Sequence, residues 1–334
     1  MVVKVTINDV AREAGVSKST VSRVLSNHDR ISDETKEKVN EVIKRLEYQP
    51  NITARNLAKN QTRTLGVVLP IDASDYFGNP IYIQMMQGMS LFAQEHDYFI
   101  MYAFGKTQDE EKCIKEFSNG GIVDGIIMLK TEVNDQTIKY LSKIKFPFVT
   151  IGKPNEEGTG LWVDNDNMGT TYDLVEQLVR DGHKKIALIS AKENWMVSKE
   201  RLEGYKKALL KHKIAYRADL VYHGEAFTQD VGYKGIEQIC KKEIPTAIIG
   251  IDDLIAVGIN RYLNNVNMQE KIIIGFNNTA LATYQTPSFS SVEIQGLRLG
   301  YEAAKLLVDY LQDKVAYNYH KIIESKLIKR GNYK

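Results

Sequence analysis

Residues 6–26, Thr-Ile-Asn-Asp-Val-Ala-Arg-Glu-Ala-Gly-Val-Ser-Lys-Ser-Thr-Val-Ser-Arg-Val-Leu-Ser, constrain the start of this chain more than any other stretch. Thr6 can cap a first helix, and Gly15 can take the positive φ of a tight turn. Ser17 can cap a second helix, on which Val21, Val24 and Leu25 fall at i, i+3 and i+4. Val10, Ala11 and Ala14 give the first helix a matching face of small side chains. Helices this short do not hold themselves together in water, so a third must cover them. Ser32 is a cap for it, and Val39, Val42, Ile43 and Leu46 form its apolar stripe. Tyr48 plugs the base of the bundle and Pro50 stops the helix. Lys18, Ser19, Ser22 and Arg23 are left pointing outward from the second helix. A plain three-helix bundle with a solvated basic face is the other reading. The agreement of caps, turn, core and exposed polar residues favours a helix-turn-helix with its second helix in the major groove of DNA.

Charge is distributed to match. Residues 1–64 hold 12 Lys and Arg against 8 Asp and Glu, whereas residues 65–334 hold 32 against 34. The positive balance is therefore gathered where phosphate attraction would use it. Residues 51–59 form a short helix start capped by Asn51. Nine residues are too few for a stable isolated helix, so the segment orders only when something packs on it. Leu57, flanked by Arg55, Asn56 and Lys59, suits an apolar wedge in a pried-open minor groove, or a docking residue for the next domain.

From Leu65 the pattern becomes short apolar runs separated by helical stretches. The runs are 65–69, 99–103, 125–129, 148–151, 186–189, 247–251 and 272–276. Near-continuous apolar strands alternating with helices predict a doubly wound α/β fold with parallel sheets. The series restarts at Lys185, which implies two similar lobes hinged near residues 160 and 290. Ligands of such folds bind outside the carboxyl ends of the strands, here the cleft between lobes. The expected organisation is 1–49 helix-turn-helix, 50–62 hinge helix and linker, and 63–334 core. Within the core, one lobe takes 63–160 plus 292–322, and the other 161–291 plus the C-terminal end.

The whole chain resembles the lac repressor (LacI/GalR) family of bacterial transcription regulators. The resemblance is carried by Thr6-Ile-Asn-Asp-Val-Ala, Gly15-Val-Ser, Thr20-Val-Ser-Arg-Val, Tyr48-Gln-Pro-Asn and Ala54-Arg-Asn-Leu. It continues in Asn79-Pro, Val163-Asp-Asn-Asp-Asn, Gly182-His-Lys-Lys-Ile, Arg201-Leu-Glu-Gly-Tyr and Gly275-Phe-Asn-Asn. It implies a DNA-binding headpiece, a hinge helix and a two-lobed core like periplasmic sugar-binding proteins, acting as a homodimer on a near-palindromic operator. Lys18, Ser19 and Arg23 would then touch base edges, Arg23 in bidentate fashion to guanine. Thr6, Ser17, Ser22 and Ser32 would hold phosphates. Arg55 and Asn56 would flank Leu57, the wedge at the central base step.

The same resemblance places a small sugar effector against Tyr82, Arg201, Phe227 and Asp252, with Trp195 as a further candidate. Arg201 also reads as a solvated helix residue, Phe227 as core and Trp195 as a lid. Family members often carry an acid after the glycine-aromatic pair, and Asn277 stands there in this chain. It keeps hydrogen-bonding capacity without the charge, which disfavours a cationic ligand. The loop of residues 71–80, with Tyr76 and Phe77 at its tip, could extend the cleft for more than one sugar ring. With Ile151-Gly-Lys-Pro and Trp162-Val-Asp-Asn-Asp-Asn, it makes the maltose and maltodextrin operon repressors of Gram-positive bacteria the most similar subfamily. Another sugar or a purine would use the same scaffold.

Two cysteines, Cys113 and Cys240, exclude a disulfide framework and a cysteine zinc site. The six histidines lack metal-ligand spacing, and no nucleophile elbow or phosphate loop occurs, so neither an enzyme nor a metal or other cofactor is expected. Met1 leads directly into the first helix and no apolar run approaches the ~20 residues that cross a bilayer. The expectation is a cytoplasmic protein with no membrane partner, and not a secreted sugar carrier. A global catabolite regulator answering to a phosphorylated phosphocarrier protein would need a basic patch near 295–307, where Arg298 and Lys305 supply two positions. The final residues carry no leucine heptads, which points to a dimer.

Overall fold

The computed structural model describes residues 5–25, 30–48, 61–69, 78–104, 107–156, 160–331 and 333. They belong to two units, Met1–Thr62 and Arg63–Lys334. Arg55, Asn56 and Leu57, the loop tip of Tyr76 and Phe77, and the expected hinge helix lie outside the described residues.

In the first unit α1 (Ile7–Glu13), α2 (Lys18–Leu25) and α3 (Asp33–Arg45) follow the predicted caps. Thr6 and Asp9 close a reciprocal capping box: the Asp9 carboxylate accepts from the Thr6 backbone N–H at 3.0 Å, and the Asp9 N–H donates to Thr6 Oγ1. The Thr20 N–H donates to Ser17 Oγ at 3.1 Å, and Ser32 caps α3. Gly15 turns the chain at φ +64°. Val10, Ala14, Val21 and Val39 are fully buried against one another, with Tyr48 closing the base.

The second unit contains two six-stranded sheets of the same design. The first is ordered β2 (Phe99–Phe104), β1 (Thr64–Leu69), β3 (Gly125–Met128), β4 (Phe148–Ile151), β5 (Leu161–Asn165), β11 (His320–Ile323). The second is ordered β7 (Val221–His223), β6 (Ile186–Ser190), β8 (Ala247–Gly250), β9 (Ile272–Phe276), β10 (Ser290–Glu293), β12 (Lys326–Ile328). All pairings are parallel except β10 with β12. All seven predicted apolar runs are strands.

Three crossings join the lobes, and the first falls away from the position expected near residue 160. Leu161–Asn165 pairs with β4 and β11 inside the first sheet, so the first crossing follows Asn165 and not residue 160. The second lies at residues 294–295, between β10 and the helix at Gly296–Leu311. The third separates β11 from β12 at 324–325. One side chain ties all three: Asn165 Nδ2 donates to the carbonyls of Ile294 (3.2 Å) and Ile323 (2.8 Å).

The helices in order are α4 (Pro80–Glu95), α5 (Thr107–Gly120), α6 (Gln136–Ile144), α7 (Asn167–Arg180), α8 (Met196–Lys211), α9 (Gln229–Cys240), α10 (Asp253–Asn265), α11 (Ala280–Tyr284) and α12 (Gly296–Leu311). They pack in close pairs, α4 on α12, α7 on α8 and α9 on α10. The α4–α12 crossing depends on glycine. A Cβ at Gly88 would stand 1.8 Å from the Leu297 carbonyl oxygen, and one at Gly300 2.0 Å from that of Met85. No helix among the described residues is long and apolar enough to cross a membrane.

Candidate functional site

Two sites emerge, one in each unit. On the first, the caps that start α2 and the valines that bury its inner face leave Lys18, Ser19, Ser22 and Arg23 exposed together. Thr6, Ser17 and Ser32 are exposed as well, but their hydroxyls already serve the helix starts. Thr6 Oγ1 donates to Asp9 at 2.7 Å, Ser17 Oγ meets Ser19 Oγ at 2.7 Å and Thr20 Oγ1 at 2.8 Å, and Ser32 Oγ meets Thr35 Oγ1 at 2.9 Å.

The second site is a cleft between the lobes, partly open to solvent, with a cavity volume of about 100 Å³. All six residues expected at the cleft line it: Tyr82 from α4, Trp195 and Arg201 at the start of α8, Phe227 before α9, Asp252 after β8 and Asn277 after β9. β1 and β6 each sit between neighbours reached by opposite connections, so the segments after β3, β6 and β8 meet where a doubly wound fold opens a crevice.

Arg201 is not a solvated helix residue. It is buried, stacked 3.8 Å from the Phe276 ring centroid, with Nε donating to Asn167 Oδ1 at 3.0 Å and Nη1 to the Ile251 carbonyl. Burial pushes its guanidinium down to about 10, opposed by Asp164 and Asp252, so it stays charged at neutral pH. Trp195 and Phe227 face each other with ring centroids 4.9 Å apart, a tilted pair on the cavity wall.

Asp252 carries more than a strand-end contact. Its Oδ1 caps α10 through the Leu254 N–H at 2.7 Å. Its Oδ2 accepts from Asn277 Nδ2 at 2.7 Å and from Asn79 Nδ2 at 2.9 Å. Asn277 is thus the amide partner of a buried carboxylate, and Asn79 reaches it from the other lobe. Burial raises the Asp252 carboxyl, and burial reinforced by the Asp252 charge raises the Tyr82 phenol.

Sequence reasoning assigned no role to Asn79, Asp164 or Asn167. Asp164 accepts from the Lys153 N–H at 2.8 Å and from Asn167 Nδ2 at 3.0 Å. The available signal was the polar run Asp-Asn-Asp-Asn directly at a strand end, and Asn79 as a cap one residue before Pro80. Beside them Glu200 is raised to about 7 by burial, reinforced by Asp164. No group of His, Cys, Asp and Glu suited to a metal ion occurs among the described residues.

The lobes also touch through backbone. The Val133 N–H donates to the Asn194 carbonyl at 2.8 Å and the Met196 N–H to that of Thr131 at 3.0 Å, an antiparallel bridge between Glu132 and Trp195.

A helix-turn-helix unit followed by a two-lobed α/β core with a cleft between its lobes defines a class of regulator, and comparisons agree. Residues 6–51 match the bacterial regulatory proteins of the lacI family, and residues 175–332 match the periplasmic binding protein-like domain. The HTH-type transcriptional regulator MalR of Streptococcus pneumoniae is 34% identical over 96% of this chain and 99% of its own. Catabolite control protein A of Priestia megaterium is 35% identical over 92% of each. Among solved structures, a complex of the transcriptional regulator CelR with cellobiose superposes with a TM-score of 0.76 at 28% identity, covering 98% of this chain and 99% of that one. The chain belongs to the lacI family of bacterial regulatory proteins.

Proposed function

We propose that this protein is a sequence-specific transcriptional repressor, a homodimer on operator DNA, controlled by maltose or a maltodextrin in the interlobe cavity. The observation that carries the reading is the cavity itself. It brings one charged guanidinium, a bank of amides and carboxylates, and the Trp195–Phe227 pair around one cleft in a chain that begins with a helix-turn-helix. Aromatic faces take the apolar side of a sugar ring, and amides and charged groups take its hydroxyls. The similarity to MalR supports maltose as the first sugar to try. Effector would act by changing how the lobes sit together, so that hinge segments order or melt on DNA. In the headpiece Lys18, Ser19 and Arg23 read bases, Thr6, Ser17, Ser22 and Ser32 meet phosphates, and Leu57 with Arg55 and Asn56 enters the minor groove. The lobes divide the core at 165, 295 and 324.

Similarity to catabolite control protein A keeps a second reading, in which a phosphorylated phosphocarrier protein replaces the sugar. The positions expected to receive it are engaged: Lys305 pairs with Asp309, and Arg298 Nη1 donates to Gln295 Oε1 at 3.4 Å.

Fluorescence anisotropy on a palindromic operator obtained by selection separates the two. The expected result is saturable binding that maltose or maltotriose weakens. Binding indifferent to both sugars overturns the maltose assignment and leaves another sugar, a purine or the protein corepressor.

A further inference from the structure

Three hydroxyls at the start of α2 are joined in one chain, with Ser17 in the middle. Ser17 Oγ lies 2.7 Å from Ser19 Oγ and 2.8 Å from Thr20 Oγ1, and it accepts from the Thr20 N–H at 3.1 Å. A hydroxyl has one proton and two lone pairs, so three neighbours use all that it has. The Thr20 N–H takes one lone pair. Of the two neighbouring hydroxyls, one must therefore donate to Ser17 and the other accept its proton. Ser19 and Thr20 are the ends of the chain, and the two ends differ. One keeps a free O–H, and the other offers lone pairs only.

Two proton orders satisfy the oxygens, and the partner decides between them. Ser19 is exposed beside Lys18 and Arg23, on the face read as meeting base edges. Thr20 is half-buried, about 100° further round the helix. When a helix lies in a major groove, the flank of its base-reading face meets the groove walls, which are lined by phosphate oxygens. Those oxygens accept and never donate. A hydroxyl donating to a phosphate makes a charge-assisted bond, roughly twice as strong as a neutral one, so the phosphate end of such a chain takes the free O–H.

We propose that Thr20 donates to an operator phosphate and thereby makes Ser19 a pure acceptor, which selects a base carrying an amino group in the major groove. The protons run from Ser19 to Ser17, from Ser17 to Thr20 and from Thr20 to the phosphate. Ser17 itself meets phosphate through its backbone N–H. The Ser19 lone pairs then suit cytosine N4 or adenine N6 and are repelled by guanine O6 and thymine O4. A lone serine hydroxyl serves either kind of base; this one is set by a residue that touches no base. The inference rests on reading Ser19 as a base contact and deepens it, with Thr20 as a positioning residue for sequence preference.

The test uses the full-length protein and the selected palindromic operator, with anisotropy as the readout. Each half-site position is varied, and the position whose preference Ser19→Ala abolishes is the one that Ser19 reads. There the operator is rebuilt with an analogue lacking only the exocyclic amino group (purine for adenine, pyrimidinone for cytosine). A second operator lacks only the carbonyl oxygen of the opposite guanine or thymine. Deleting the amino group should weaken the wild type by about five- to tenfold, the size of one hydrogen bond, and deleting the oxygen should not. Thr20→Val keeps the shape and removes the hydroxyl, so Ser17 turns its proton to Ser19 and the sensitivity moves from the amino group to the oxygen. Thr20→Ser should restore the wild-type pattern, which a purely structural role for Thr20 would not require. A wild type sensitive to the oxygen, or a Thr20→Val protein that keeps its sensitivity to the amino group, overturns the proposed chain. If no position responds to Ser19→Ala, Ser19 is not a base reader and the inference falls with that reading, while Arg23→Ala still tests the headpiece by itself.

Discussion

Arg23 stands exposed on α2 two residues past the buried Val21, on the face the headpiece core does not use. Replacing it with alanine should cost about 1–3 kcal/mol on the selected operator and relax preference at one base pair per half-site. Equal loss on operator and random DNA, measured by anisotropy, would reduce it to a phosphate contact. Asn277→Asp would set a second carboxylate where an amide now donates 2.7 Å to Asp252. Two buried like charges at that distance resist joint ionisation, so sugar affinity should become pH-dependent and fall as pH rises from 5 to 8. Calorimetric titration across that range checks it against a flatter wild type. Glu200 gives a stability counterpart. Its folded carboxyl is raised from 4.5 to about 7, so the folded state holds a proton that the unfolded chain has released. That contribution is complete below pH 4.5 and is lost as pH rises through about 7. Glu200→Gln should flatten the fall in melting temperature over this window and raise it at pH 8 by about 2–4 °C, the worth of about 1 kcal/mol in a chain this long. At this scale the sequence showed Arg201 and Asp252 through local motifs. The Asn79–Asp252 bond stayed hidden because 173 residues separate its partners and no local pattern spans them.

Elements differ in how far they announce themselves. Buried central strands such as β3, β4 and β8 are continuous apolar runs and were legible. The edge strands β7, β11 and β12 were not: they are three or four residues long and half exposed, with Ile322 bare to 55%. Polar content masked β5 and β10, whose Asp164, Asn165, Ser290 and Ser291 are buried through hydrogen bonds rather than apolarity. Helix pairing was also silent, since it depends on glycines that periodicity ignores. Gly300→Ala should destabilise the core by about 1–3 kcal/mol by forcing α12 from α4. Gly120→Ala, whose new Cβ meets nothing closer than 3.7 Å, is the comparison for thermal melting. For the segment at Leu57, Leu57→Ala should lower operator affinity and DNA bending while leaving sugar affinity unchanged; intact operator affinity would remove the wedge from the account.

Across the whole molecule, the proposed function makes control depend on how tightly sugar and DNA compete for one equilibrium. A coupling of about 1–3 kcal/mol would change operator affinity 5- to 150-fold, and linkage requires operator to weaken sugar by the same factor. Measuring sugar affinity with and without saturating operator tests this directly, and a sugar affinity that operator leaves unchanged would show that the two sites are not coupled. The lobes do not follow one another along the chain. The first lobe keeps β11 at its sheet edge and α12 against α4, and both are drawn from residues 296–323. The headpiece, by contrast, has its own core within the first 48 residues. During synthesis from the amino end, a ribosome therefore finishes the DNA-reading part early, and the first control lobe only when almost all of the protein has emerged. A chain stopped before residue 296 would carry a finished headpiece and lack the helix and strand that complete the first lobe.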